Sequence, residues 1–173
     1  MELRTRTYIA GDWTGDSDLI EMLTDWNNSD RFNLHFSDVH TQMQARDTSL
    51  PCSIKKSLAT RLDMSKTFVL IVGKNTDLLR KGSCRYCSHY SSYFSRCNSN
   101  GHVDYRSFID FECEKALRDG LRIIVIYNYL NVDRSKCPIS LRNVGVHIPA
   151  CFRGTDGRTY WNYYRIRDEI NKL

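Results

Sequence analysis

Apolar positions along this chain repeat with two periods, and the two alternate. Short runs rich in β-branched and aromatic residues occur at 5–10, 33–37, 67–72, 122–127 and about 146–152. Each reads as a strand. The runs at 67–72 and 122–127 are apolar on both faces, which suits central strands covered by helices on each side. Between the runs the period lengthens. Leu19, Ile20, Leu23 and Trp26 recur at helical spacing behind two candidate N-caps, Asp16 and Ser17, and Asn27-Asn28-Ser29-Asp30 ends that helix. Pro51 opens a second helix carrying Ile54, Leu58 and Leu62 on one face. A third spans 104–118 and stops at Asp119-Gly120. A last helix, after a turn at Thr155-Asp156-Gly157, places Tyr163, Ile166, Ile170 and Leu173 on one side.

This order predicts an α/β domain with a parallel sheet. The expected architecture is a flavodoxin-like three-layer fold, five strands in the order 2-1-3-4-5 with helices on both faces. No repeat or Pro-rich linker divides the chain, so residues 1–173 read as one domain with a long insertion at about 73–103. Ligands of such sheets bind beyond the carboxyl ends of the strands, at the switch point of strand order. Segments 11–14, 37–40 and 73–75 should therefore line one crevice, with Asp12, Trp13, Asp38 and Lys74 among its side chains.

Composition narrows the partners. A chain of 173 residues, 41% hydrophobic, can bury a core without cross-links. The net charge of +5 is scattered rather than gathered in a stripe, which argues against nucleic acid. The longest apolar runs are too short to cross a bilayer, and the polar start has no apolar stretch resembling a secretion signal. A cytoplasmic protein without membrane contact is the expectation. Seven cysteines then read as thiols or metal ligands rather than disulfides. Cys84 and Cys87 have the spacing of a zinc half-site that His89, Cys97 and His102 could complete, but a second paired half is missing. Both readings stay open, with no metal as the working expectation.

Glu112 is the candidate for chemistry. Its spacing to Phe108, Ile109 and Ala116 puts it on the apolar face of the third helix, whereas Glu114 shares a face with Asp110 and Arg118. A buried carboxylate needs a partner. That partner is either a structural one, such as an arginine or a backbone donor, or a ligand in the crevice.

The segment Phe108-Ile109-Asp110-Phe111-Glu112-Cys113-Glu114-Lys115-Ala116, followed by Gly120 and an Ile-Ile-Val-Ile strand, resembles the part of TIR domains that carries their catalytic glutamate. The opening Tyr8-Ile9-Ala10-Gly11-Asp12-Trp13 is similar to the first TIR strand, and 53–72 to the second helix and third strand. The subgroup it most resembles is that of bacterial Thoeris anti-phage systems. The resemblance implies cleavage of the nicotinamide–ribose bond of NAD as substrate, with no cofactor, and in some members cyclisation to an ADP-ribose signal. It implies that Glu112 holds the ribose and stabilises its oxocarbenium-like charge. Asp12 and Trp13 would contact ribose or base by position, with Asp38 and Lys74 also facing the nucleotide. It further implies self-association and a downstream effector reached through a nucleotide signal. Asp12-Trp13 stands where the family usually has a hydroxyl-bearing pair, and the insertion is long.

The competing reading is a TIR-like adaptor that assembles without chemistry, using 38–49 and 84–102 as its interface. A flavin site lacks its phosphate cradle here. A receiver lacks its aspartate after the third strand, and no GxGxxG supports dinucleotide redox chemistry.

Overall fold

The computed structural model describes residues 6–32, 34, 36, 50–99 and 101–172. In chain order these form β1 (Arg6–Ala10), α1 (Ser17–Asn28), α2 (Pro51–Asp63), β2 (Ser65–Val72), β3 (Tyr90–Ser91), β4 (Arg96–Cys97) and α3 (Phe108–Arg118). Then follow β5 (Arg122–Tyr127), β6 (Val146–Pro149), β7 (Cys151–Arg153), β8 (Thr159–Trp161) and α4 (Tyr163–Ile170).

The main sheet has the order β1-β2-β5-β6 and every pair is parallel. Alternation along the strands divides the core in two. Tyr8, Phe68, Leu70 and Val125 point to one side, where Leu58 and Leu62 of α2 and Ile109, Cys113 and Ala116 of α3 cover them. Ile9, Val69, Ile71, Ile124 and Ile126 point to the other, against Leu19 and Leu23 of α1 and Ile166 and Ile170 of α4. Both faces of β2 and β5 are therefore dry, as their unbroken apolar runs require. Helices cover the sheet on both sides, giving the expected α/β three-layer arrangement.

Several boundaries differ from the sequence reading. The strand expected at 33–37 lies mostly outside the described residues, and Leu34 and Phe36, which are described, are not in a strand. Among the described residues the sheet thus has four strands, in the order expected for strands 1, 3, 4 and 5. The strand expected at 146–152 breaks at Ala150, whose N–H turns to the Tyr127 carbonyl at 2.7 Å, and Cys151–Arg153 pairs instead with β8 in a separate hairpin. The third helix begins at Phe108 rather than 104, because Ser107 caps it by accepting from the Asp110 N–H at 3.1 Å.

The residues ahead of Ser107 are committed elsewhere. Lys55 of α2 is buried, and its ammonium donates to the carbonyls of Asp104 at 3.3 Å and Arg106 at 2.7 Å. It also pairs with the Asp104 carboxylate at 3.3 Å. Arg106 closes a fork on the same carboxylate at 2.9 and 2.7 Å and reaches Glu114 at 2.9 Å. Burial opposes the Asp104 charge, but the Arg106 hydrogen bonds and the Lys55 charge outweigh it and hold the carboxyl down to about 2.

The insertion is short-range structure rather than open loop. It contains single 3₁₀ turns at Thr76–Leu78 and Cys84–Tyr86 and the small hairpin β3–β4. Its two ends are held together. The Phe108 N–H donates to the Lys81 carbonyl at 2.8 Å, and the Cys84 N–H donates to that of Asp104 at 3.0 Å. Gly82 sits at φ +100°, where a Cβ would lie 2.4 Å from the Phe108 ring, so no other residue fits.

Replacing Lys55 with Met keeps the stem but strips two carbonyls and a carboxylate of their donor. The expected loss is about 3 kcal/mol in chemical denaturation, with faster proteolysis within 79–107. Unchanged stability and protection would sink this account of the Lys55 contact.

Candidate functional site

Glu112 of α3 meets Tyr8 of the first strand. Its helix is phased so that Ile109, Cys113 and Ala116 enter the core, and Glu112 enters with them at 4% exposure. The Tyr8 hydroxyl of β1 donates to Glu112 Oε1. Burial pushes the carboxyl up to about 7, and the Tyr8 hydrogen bond and the Arg61 charge on α2 pull it partly back. The second buried glutamate, Glu169, shows what a structural carboxylate looks like here. It is ringed by Arg122 at 3.4 Å, Arg165 at 3.5 Å and Lys172 at 2.8 Å. Glu112 is held instead by a neutral hydroxyl in an apolar layer, and it is poised to gain or lose a proton near neutrality.

The other expected site residues lie elsewhere. Asp12 follows the end of β1 and accepts from the Thr14 N–H at 3.1 Å, shaping a turn. Trp13 is 45% exposed and borders a shallow groove of about 460 Å³ along α1, with Ser17, Ile20, Glu21, Thr24 and Asp25. That groove is on the α1 side of the sheet, opposite the layer that holds Glu112. Lys74 is exposed after β2, and its carbonyl accepts from Lys136 Nζ at 3.5 Å. Lys136 in turn lines a second cleft of about 520 Å³ with Tyr129, Asn131, Asp133 and Cys151, beyond the ends of β5 and β6. Asp38 lies outside the described residues. The expected residues are thus spread over three places rather than gathered around one crevice.

The sequence reading missed two partners. Tyr8 was placed in the first strand, but its hydroxyl faces the buried layer and so demanded an acceptor. Asp16 sits at the N-cap position of α1 without making a side-chain cap. It is buried over the end of β2, where a Cβ on Gly73 would lie 1.9 Å from its Oδ1, and it accepts from Asn128 Nδ2 at 3.1 Å. Burial raises its pKa against the Asn128 bond, and the charges of Asp12 and Asp18 raise it further. This carboxyl occupies the space beside Gly73 at the end of β2. Cys84 accepts from the Asp104 N–H at 3.3 Å, and His89 pairs with Ser99. Among the described residues no group of three or more His, Cys, Asp or Glu side chains is placed to hold a metal ion.

Residues 8–81 match the family model of the TIR-like domain of Thoeris protein ThsB. That segment, less than half of the chain, is similar to a Thoeris-type TIR-like domain. The matched segment includes Tyr8 and Arg61, which act on Glu112, but stops before α3 itself. No curated protein matches the chain significantly. Among solved structures, one crystal structure of a 3-dehydroquinate dehydratase-like protein from Bifidobacterium longum aligns with 98% of this chain and 94% of its own, at 8% identity and a TM-score of 0.40. So weak a likeness adds nothing to the fold read from the chain's own strands. Among the described residues no helix is long and apolar enough to cross a membrane.

The raised carboxyl has a stability signature. Above the ordinary glutamate value near 4.5 the unfolded chain ionises while folded Glu112 keeps its proton, until about pH 7. Folding stability relative to Glu112→Gln should therefore fall by about 3 kcal/mol between pH 4 and pH 8 and level off beyond. Parallel denaturation curves for the two proteins across that range would refute the assignment.

Proposed function

We propose that the chain is a TIR-type NAD-cleaving signalling enzyme of anti-phage defence. The observation that carries this reading is the Glu112 carboxyl, held near neutrality in an apolar layer by Tyr8, a residue of the segment matched to the Thoeris TIR-like family. The bond broken is that between the nicotinamide nitrogen and the ribose C1′. Nicotinamide leaves with the bonding pair, and positive charge spreads over C1′ and the ring oxygen. An ionised Glu112 holds the ribose hydroxyls and stabilises that charge. Water then captures C1′ to give ADP-ribose, or a nucleophile of the same molecule captures it to give a cyclic ADP-ribose-type signal for a downstream effector. Asp12, Trp13, Asp38 and Lys74, which the described structure does not gather around Glu112, are proposed as nucleotide contacts that meet the substrate only once the site opens. To meet substrate, Glu112 must leave its hydrogen bond to Tyr8, so access to it is gated by a movement of α3 or of the side chain.

A second reading has its own support. At 4% exposure with its hydroxyl partner in place, Glu112 is also what a TIR-like adaptor without chemistry would show. The adaptor would act through its exposed aromatic surfaces alone.

Nicotinamide release from NAD separates the two. Wild type should release it, and Glu112→Gln should lose about a hundredfold or more in rate. The wild-type rate should rise with pH through about 7 as Glu112 ionises. Mass spectrometry of the product distinguishes hydrolysis from cyclisation. Silence of the concentrated, assembled wild type would decide for the adaptor.

A further inference from the structure

The charge on this chain is scattered overall, but two surfaces segregate it completely. Residues 12–30 carry six acidic side chains and no lysine or arginine. Residues 78–103 carry four lysines and arginines and no acid. The acidic segment is α1 and its approach, and Asp18, Glu21 and Asp25 are exposed there beside the shallow groove that Trp13 borders. The basic segment is the insertion, and its hairpin carries the most exposed aromatic residue of the described chain, Tyr93 at 88%, with Phe94 at 61%.

The hairpin tip has the composition of an interface anchor. Tyr93 and Phe94 pack edge to face at 4.8 Å, and the Arg96 guanidinium lies over the Phe94 ring at 4.8 Å. Nearby, Arg85 lies over Tyr105 at 4.9 Å. Aromatic rings rigidified by stacked arginines are over-represented at binding hot spots, because they present apolar area at little further entropic cost. The groove on α1 is the reciprocal surface, with apolar Ile20 at its floor and Glu21 and Asp25 at its rim.

These surfaces cannot satisfy one another within one molecule. The insertion is tied to Lys55 of α2, to Asp104 and to the start of α3, on one side of the sheet. α1 covers the opposite side. We propose that the β3–β4 hairpin of one copy inserts Tyr93 and Phe94 into the α1 groove of the next, with Arg85 and Arg96 facing Glu21 and Asp25. Unlike surfaces on opposite sides of the sheet make a heterologous contact, which propagates as a ring or filament and does not close as a two-fold dimer. A second aromatic surface, on the β7–β8 hairpin, is the less suited donor. It contains Asp156, and α4, which follows it, packs on the same side of the sheet as α1.

This inference builds on the self-association expected of the proposed function but not on NAD cleavage. Its test reads mass, so its failure leaves the assignment of Glu112 intact. Wild-type protein should show concentration-dependent association by sedimentation velocity, weakened at least tenfold by high salt. Arg85→Glu/Arg96→Glu and Glu21→Lys/Asp25→Lys should each be monomeric with unchanged circular dichroism. Mixed together they should co-assemble as an alternating ring or filament, since each variant's hairpin then meets a groove of opposite charge on the other. Combining all four changes on one chain should restore association. Persistent self-association of either double variant would overturn the proposal, as would a monomeric mixture or loss on reversing Arg153 and Arg158 instead. A wild type that stays monomeric at high concentration and low salt would equally overturn it.

Discussion

The ammonium of Lys55 is the contact on which the arrangement of this molecule turns. It leaves water at the end of a flexible stem and exchanges its hydration for two backbone carbonyls and one carboxylate, all from the segment that leads into α3. A charge so buried is tolerated only because its partners are complete. With those partners fixed, Arg106 is fixed, Ser107 caps, and α3 starts at one residue and no other. The helical phase that follows carries Glu112 to the Tyr8 hydroxyl. Lys115 adds a second tie between the same helices, reaching Asp63 and Asp119 at 2.6 Å each.

Burial gives Glu112 two properties that pull in opposite directions. The apolar layer makes the carboxyl reluctant to ionise, and among the described residues no ring of three cations like the one around Glu169 surrounds it. A group that destabilises the fold when charged is a poor structural element at neutral pH. It is a useful one if a substrate supplies positive charge beyond what Arg61 provides. In the proposed reaction the transition state is positive, so it and the ionised carboxylate would each stabilise the other in a place where water does not intervene.

The parallel sheet, its two helix layers and the inward phase of Glu112 were legible in the sequence, because each follows from periodicity. The runs at 67–72 and 122–127 have one physical solution, burial on both faces. The failures have a common cause. Asp16 has the chemistry of an N-cap, yet the close approach of Gly73 and the amide of Asn128 redirect it into the end of the sheet. Beyond Ala150 the chain leaves β5 because Cys151–Arg153 pair with β8. Such outcomes depend on partners distant in sequence, and no local pattern announces them. The same aspartate, which local rules assign to a cap, takes the space beside Gly73 at the end of β2, where part of the expected crevice lies.

The closure of the insertion on itself has a consequence for how such a domain diversifies. Its ends lie one hydrogen bond apart at Lys81 and Phe108, so the core perceives the whole excursion as little more than a tight turn. Closure entropy grows only slowly with the number of residues between fixed ends. Residues can be added to, removed from or exchanged within the hairpin without altering what the sheet and helices must satisfy. The exposed surface of the hairpin can then be changed without disturbing the layer around Glu112.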